Sequence, residues 1–110
     1  MDNVVKVENL IKAGQFSLNP RLAVEYKVKL AGEYSFFTGI LEDVLKRKPK
    51  WWNDNRPKQK SDKATDKLFE QTDDGINEMG LRLRIKRCEK LINALGTLIR
   101  IAEGEAKNLY

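Results

Sequence analysis

Histidine is absent from this chain of 110 residues, and cysteine occurs only once, as Cys88. Zinc sites therefore lack their usual ligands, and catalysis that relies on a histidine base loses that base. The sequence also contains no glycine-rich phosphate loop, no nucleotide-binding fingerprint and no hydrolase elbow. We therefore expect a protein that is not an enzyme, with no catalytic residues, no metal and no cofactor.

Long apolar runs are missing as well. The longest falls far short of the roughly 18 residues that a membrane span requires. The first residues also lack the charged-then-apolar order of a signal peptide. We expect a cytoplasmic protein without a membrane partner.

Charge is plentiful but unevenly distributed. Charged residues make up 34% of the chain, and the formal net charge is +5. Residues 1–45 carry five basic and six acidic side chains, and residues 64–110 carry eight of each. Residues 46–63 carry eight basic and only two acidic side chains, a net charge of +6. The basic excess therefore lies in one short segment, which points to a polyanionic partner.

The C-terminal third carries an apolar stripe of helical spacing. Successive intervals of four and three place its members on one face of a helix. They are Leu81, Ile85, Cys88, Ile92, Leu95, Ile99 and Ala102. Leu91 and Leu98 widen the stripe, so it suits packing against more than one neighbour. We expect the first six to form an interface between copies of the chain, with the Cys88 thiol buried and unreactive.

These patterns predict an all-α fold in a single domain, residues 1–110. Asn19 and Pro20 form an N-cap and first helical turn, and Pro49 is a helix breaker. The predicted order is a short helix 1–14, a long helix 19–48, a basic loop 49–61 and a long helix 62–104, with Ser61 or Asp62 as the cap of the last. The two long helices should form an antiparallel hairpin of the coiled-coil type, crossed by the short N-terminal helix.

The register of the last helix changes along its length. Phe69, Thr72, Ile76, Met79 and Leu83 form one row, whereas Leu81 begins another. Either the helix bends near residues 75–80, or one segment packs within the subunit and the other between subunits. Because two helices alone bury little surface, we expect a helical homo-oligomer. A compact monomeric three-helix bundle is the alternative.

The basic segment combines cations with a pair of tryptophans. Cations along a chain contact phosphates and release counterions, and exposed indoles stack on unpaired bases. The predicted nucleic-acid-binding residues here are Lys46, Arg47, Lys48, Lys50, Trp51, Trp52, Arg56, Lys58 and Lys60, with Lys63 beyond them. The alternatives are a solvated loop and tryptophans that pack on the end of the hairpin.

A second group of cations lies on the last helix. It consists of Arg82, Arg84, Lys86 and Arg87, followed by Lys90. Several lie on neighbouring rows of the helix surface, so together they are suited to contact successive phosphates of one strand. The alternative is pairing with acids of the other long helix, for which Glu25, Glu33, Glu42 and Asp43 are available.

Acidic residues at the start of the last helix offer a weaker alternative. Asp62, Asp66, Asp73, Asp74 and Glu78 have the ligand type for a divalent ion. Acids on an exposed helical segment are usually solvated, so we expect no metal site.

The layout resembles that of the UvsY-like recombination mediators of tailed phages. The shared features are an aromatic-rich first long helix, a basic connector, and a leucine- and isoleucine-rich last helix with a lone cysteine. The aromatic residues are Tyr26, Tyr34, Phe36 and Phe37, and looser similarity covers residues 60–63 and 88–99. The resemblance implies an oligomer that holds single-stranded DNA and helps a recombinase displace a single-strand-binding protein.

We therefore expect an accessory protein of phage-type recombination or replication, located in the host cytoplasm if phage-encoded. Its expected partners are single-stranded nucleic acid, with DNA favoured, further copies of itself and a recombinase. The alternative is a small phage anti-defence protein that binds a host protein and inhibits a nuclease complex. A scaffolding helical module without a ligand is a third option.

Overall fold

The computed structural model describes residues 2–108, with side chains from residue 2 to residue 104. Every element in this part of the chain is helical. The helices are α1 (Asp2–Lys12), α2 (Gln15–Leu18), α3 (Pro20–Asn55), α4 (Asp62–Glu70) and α5 (Asp73–Asn108), with a 3₁₀ turn at Arg56–Lys58. The long helix α3 packs against α5, which confirms the predicted helical hairpin with a short N-terminal helix. Of the described helices, none combines the length and apolar character that crossing a bilayer requires.

Contacts divide the chain into two compact units. The terminal unit comprises Met1–Phe36 and Ile85–Tyr110, and the central unit comprises Phe37–Arg84. The buried core of the terminal unit contains Val4, Val7, Phe16, Ala23, Leu30, Ile85, Cys88 and Leu95. The buried core of the central unit contains Phe37, Val44, Thr65, Phe69 and Leu81. The prediction of a single domain stays a prediction.

In the terminal unit, α1 is anchored on α3. Val4 and Val7 are fully buried, and the backbone N–H of Asn3 donates a hydrogen bond to Glu33 Oε1 at 2.8 Å. Gly14 follows with a φ of +67°, a left-handed conformation that favours glycine. The chain then forms α2 between the predicted short helix 1–14 and the predicted long helix 19–48, and Phe16 is buried there against the edge of the Tyr26 ring.

Helix α3 continues well beyond Pro49, so the prediction of a loop over residues 49–61 is wrong for its first part. Proline removes one backbone hydrogen bond from the helix interior and crowds the preceding turn. Packing of the following turn offsets that cost, since the Trp51 ring lies edge-to-face on buried Phe69 at 5.1 Å between centroids. The helix ends at Asn55, whose side-chain amide donates to the Trp51 carbonyl at 2.8 Å.

Helix α4 begins at Asp62, and Ser61, one of the two predicted caps, is its N-cap. The Ser61 hydroxyl accepts a hydrogen bond from the Ala64 backbone N–H at 3.1 Å, which satisfies one of the free donors of the first turn. Thr65 is fully buried, and its hydroxyl donates to the Ser61 carbonyl at 2.9 Å.

The helix predicted over residues 62–104 is two helices, and α5 continues through residues 75–80, where a bend was one of the two alternatives. The chain breaks at residues 71–72 instead, between α4 and α5. The Thr72 hydroxyl donates to the Phe69 carbonyl at 2.6 Å and accepts from the Gly75 N–H at 3.0 Å. Thr72 therefore ends one helix and caps the next.

Most of the apolar stripe of α5 is buried within one chain. Leu81, Ile85, Cys88 and Leu95 are 9% exposed or less. Their assignment to an interface between copies is therefore wrong, because side chains that are already covered present no surface to a second copy. Ile92 and Ile99 are half-buried. Periodicity correctly identified a buried face but not the neighbour that buries it.

Candidate nucleic-acid interface

Two predicted cations lie on the outward side of α3 in the central unit. Lys46 and Lys50 are four residues apart, so they are neighbours on the helix surface. Both are exposed, whereas Val44 is buried and Trp51, which contacts Phe69 of α4, is half-buried. The continuation of α3 past Pro49 thus places Lys50 on an ordered helix rather than in a loop.

Three more cations follow, two on the turn between α3 and α4 and one in the first turn of α4. Lys58, Lys60 and Lys63 are all exposed. Arg56 holds the turn, since its Nε is 2.5 Å from Asp62 Oδ1 and its Nη1 donates to the Gln59 carbonyl at 3.0 Å. Arg56 was predicted to contact nucleic acid, but its guanidinium already binds Asp62 and the Gln59 carbonyl and so stabilises the turn.

Arg47 is likewise paired within the central unit. Its Nε donates to Asp74 Oδ2 at 3.1 Å and its Nη2 donates to Asp74 Oδ1 at 2.9 Å, a two-point contact. This hydrogen bonding lowers the pKa of the Asp74 carboxyl and raises the pKa of Arg47. Both side chains remain partly exposed, so the pair adds little stability but neutralises the Arg47 charge.

Lys48 points into the helical interface rather than into solvent. Its Nζ lies 3.7 Å from Glu78 Oε1 and 4.6 Å from the centroid of the Phe69 ring. The contact combines an ion pair with a cation–π interaction. Lys48 is therefore a structural residue, contrary to its predicted role in phosphate binding.

The basic segment retains its excess charge after this pairing. Of its eight cations, Arg47, Lys48 and Arg56 form ion pairs. The other five form none with the described residues: Lys46, Lys50, Lys58, Lys60 and Lys63. Of the segment's two acids, Asp62 is paired and Asp54 is exposed. We call these five lysines the lysine cluster.

The two tryptophans occupy different surroundings. The Trp51 indole packs on Phe69, as the structural alternative predicted. Trp52 is also half-buried, but it lies one residue further round α3, and no ring contact of it with another described aromatic side chain is seen. Trp52 is thus the better placed of the two to stack on a base.

The second basic group on α5 is only partly available. Arg82 Nε is 3.9 Å from Glu78 Oε2 one turn earlier, and Arg87 pairs with Glu8 of α1. These partners are not the acids expected from the sequence; Glu25, for example, pairs with Lys29 on its own helix. Arg84 and Lys86 are exposed and form no ion pair with the described residues.

One exposed cation of the central unit was missed. Lys67 lies one turn after Lys63 on α4, and both are exposed opposite the buried residues Thr65 and Phe69. The spacing of four residues was the available signal. Asp66 and Glu70 lie beside them on the same helix, so this face is mixed in charge.

No group of three or more metal-ligating side chains comes together in the part of the chain that the structure describes. This applies to the acids of α4 and α5 that were considered for a divalent ion.

No protein-family model, curated protein or solved structure matches this chain. The resemblance to UvsY-like recombination mediators therefore stays a prediction.

Proposed function

We propose that this protein binds single-stranded nucleic acid, DNA in preference to RNA, through the lysine cluster of the central unit. The observation that supports the proposal is the unequal pairing of charge in residues 46–63. Three of the eight cations are neutralised by acids, and the remaining five are exposed beside a single unpaired acid, Asp54.

Exposed lysines suit a phosphate backbone because each contact releases a condensed counterion, which makes binding salt-dependent and tolerant of sequence. Lys46 and Lys50 lie on α3, Lys58 and Lys60 follow on a turn held by Arg56 and the Ser61 cap, and Lys63 lies in the first turn of α4. A cluster held on ordered backbone loses less conformational entropy on binding than the flexible loop expected from the sequence.

Trp52, a half-buried indole in the same segment, adds a contact that phosphate alone does not provide. Stacking of one base on an aromatic side chain contributes about 1–3 kcal/mol. Stacking needs an unpaired base, so Trp52 favours single strands over duplex. In this proposal the protein acts as an accessory factor of recombination or replication, and a recombinase is its expected protein partner.

The test is a fluorescence anisotropy titration of a labelled single-stranded oligonucleotide at several salt concentrations, with duplex DNA and RNA of equal length as comparisons. We expect affinity to fall steeply with salt. Replacing both Lys46 and Lys50 by glutamine should reduce the slope of log affinity against log salt by about 1.4, at about 0.7 for each phosphate contact.

A matched control removes a cation from the same helix without changing the net charge. The double variant Arg47→Gln with Asp74→Asn deletes an ion pair, so its salt slope should stay close to that of the wild type. Absence of binding at low salt, or equal slopes for the lysine variant and this control, contradicts the proposal. A host protein that is retained after nuclease treatment would then favour the inhibitor alternative.

A further inference from the structure

The central unit exposes a row of large apolar side chains on α5. Ile76, Met79 and Leu83 are each more than half exposed, at 56%, 54% and 58%. Their spacing of three and four residues places them on one side of the helix. Leu81 lies on the opposite side and is 3% exposed. The register change in the sequence therefore separates a face buried within the chain from a face that is left uncovered.

A shallow groove runs beside this row. It has a volume of about 340 Å³ and is lined by Ile40, Ile76, Asn77, Gly80, Leu81 and Arg84. A Cβ atom at Gly80 would meet no atom within 4 Å, so the missing side chain leaves open space. The row and the groove together form an apolar ridge next to a hollow, the shape that one helix offers to another.

The unpaired charges that flank the row have opposite signs at its two ends, so this flank is complementary to the same flank of an antiparallel second copy. Asp74 and Glu78 are neutralised by Arg47, Lys48 and Arg82. Asp73 at the start of the segment and Arg84 at its end are exposed, and neither forms an ion pair with the described residues. They are eleven residues apart, about three turns, so they lie on the same side of the helix.

We propose that this face binds a second copy of the chain, with the two α5 segments antiparallel about a two-fold axis near Met79. A two-fold axis brings the same flank of both helices together in opposite directions. Asp73 of each copy then lies opposite Arg84 of the other, which gives two reciprocal ion pairs. Ile76 of each copy packs near Leu83 of the other, and the two Met79 side chains meet at the axis.

The charge order favours this occupant over other arrangements. A parallel second copy, related by a two-fold axis along the helices, would place the flank that carries Asp73 and Arg84 on opposite sides of the seam, so neither residue would meet an opposite charge of the other copy. A uniformly acidic or basic partner would satisfy one of these residues and repel the other. Only three large apolar side chains per copy are available, so the contact falls below standard interfaces of about 1,200 Å² or more. We expect a weak dimer, with a Kd on the order of 10–100 μM.

This interface does not depend on the proposed nucleic-acid binding, because none of the lysine cluster takes part. It replaces the predicted interface on the opposite face of α5, where Leu81, Ile85, Cys88 and Leu95 are buried in the single chain.

Sedimentation equilibrium of the full chain, from about 5 to 500 μM, tests the proposal. We expect concentration-dependent dimers, and Leu83→Gln should raise the Kd at least tenfold. Val28→Gln is the matched control, since Val28 is also an exposed apolar residue, at 70%, but lies in the terminal unit. Its Kd should stay within twofold of the wild type. A monomer throughout the range, or equal effects of the two variants, overturns the proposal.

Charge reversal tests the antiparallel arrangement itself. Asp73→Arg and Arg84→Glu should each raise the dimer Kd several-fold, and the double variant should return it towards the wild-type value. Circular dichroism and thermal unfolding verify that each variant is folded, since Asp73 also lies in the first turn of α5. Additive weakening in a folded double variant contradicts the reciprocal pairing.

Discussion

Replacing Gly75 by alanine tests how closely α4 and α5 approach each other in the central unit. A Cβ atom at this position would lie 2.0 Å from the Phe69 carbonyl oxygen and 2.8 Å from Glu70 Cα. Both atoms are backbone, so relief requires the first turn of α5 to move by about 1 Å or more. That movement also disturbs the hydrogen bond from the Gly75 N–H to the Thr72 hydroxyl.

The expected cost follows from three contributions. Overpacking costs about 1–3 kcal/mol, and loss of the Thr72 cap costs about 1 kcal/mol. Alanine in place of glycine within a helix returns about 1 kcal/mol. We expect a net loss of about 2 kcal/mol, which for a chain of this length lowers the Tm by about 8 °C.

The assay is thermal unfolding followed by circular dichroism, with Gly39→Ala as the matched control. Gly39 lies in α3 of the same unit, and a Cβ atom there would meet nothing within 4 Å. We expect Gly39→Ala to raise the stability by up to about 1 kcal/mol, the helix-propensity gain. If Gly75→Ala is as stable as Gly39→Ala, the close approach of the two helices is refuted.

Three further predictions concern individual side chains. Cys88 is fully buried, and burial raises the pKa of its thiol. It should therefore react with a thiol reagent at least about a hundredfold more slowly in the native protein than in denaturant. Rapid reaction of the native protein would contradict this prediction. Trp51→Ala should lower the stability by about 2 kcal/mol through loss of the Phe69 contact. Trp52→Ala should mainly weaken single-strand binding. The reverse outcome would show that Trp52 packs within the fold and Trp51 stacks on a base. Because hydrogen bonding lowers the folded-state pKa of Asp74 below its unfolded value, its contribution to stability is present above pH 4 and is lost as pH falls through the folded pKa. Asp74→Asn should therefore show a smaller fall in Tm between pH 5 and pH 2 than the wild type, and parallel Tm curves would contradict this.

The helices themselves were predictable from the sequence because local patterns determine them. Pro20 begins α3 and Ser61 caps α4, in accord with the preferences of helix starts. The apolar spacing from Leu81 onward correctly marked a buried helical face. These signals act within a few residues, so they do not depend on knowledge of the tertiary structure.

The predictions of the fold were wrong where contacts between distant residues override local helix preferences. Pro49 ends a helix in most sequences, but here the packing of Trp51 on Phe69, eighteen residues away, carries α3 onward to Asn55. The break at residues 71–72 depends on Thr72 and on the close approach at Gly75. No periodicity in the sequence identifies that contact.

The candidate site, like the fold, was predictable from the sequence only in part. The sequence located the basic excess in residues 46–63, but it did not separate free cations from paired ones. Arg47 and Asp74 are 27 residues apart, and Arg87 and Glu8 are 79 residues apart. Since pairing depends on which helices meet, only the structure distinguishes Lys46 and Lys50 from the neutralised Arg47 between them.

The affinity of the intact protein for a single-stranded DNA oligonucleotide, measured as a function of salt concentration, tests the central claim most directly. Exposed, unpaired lysines and a half-buried indole in the same segment predict binding that is tighter for single strands than for duplex and that weakens steeply as salt rises. An oligonucleotide that stays unbound at low salt, or an affinity that does not change with salt, would contradict the account.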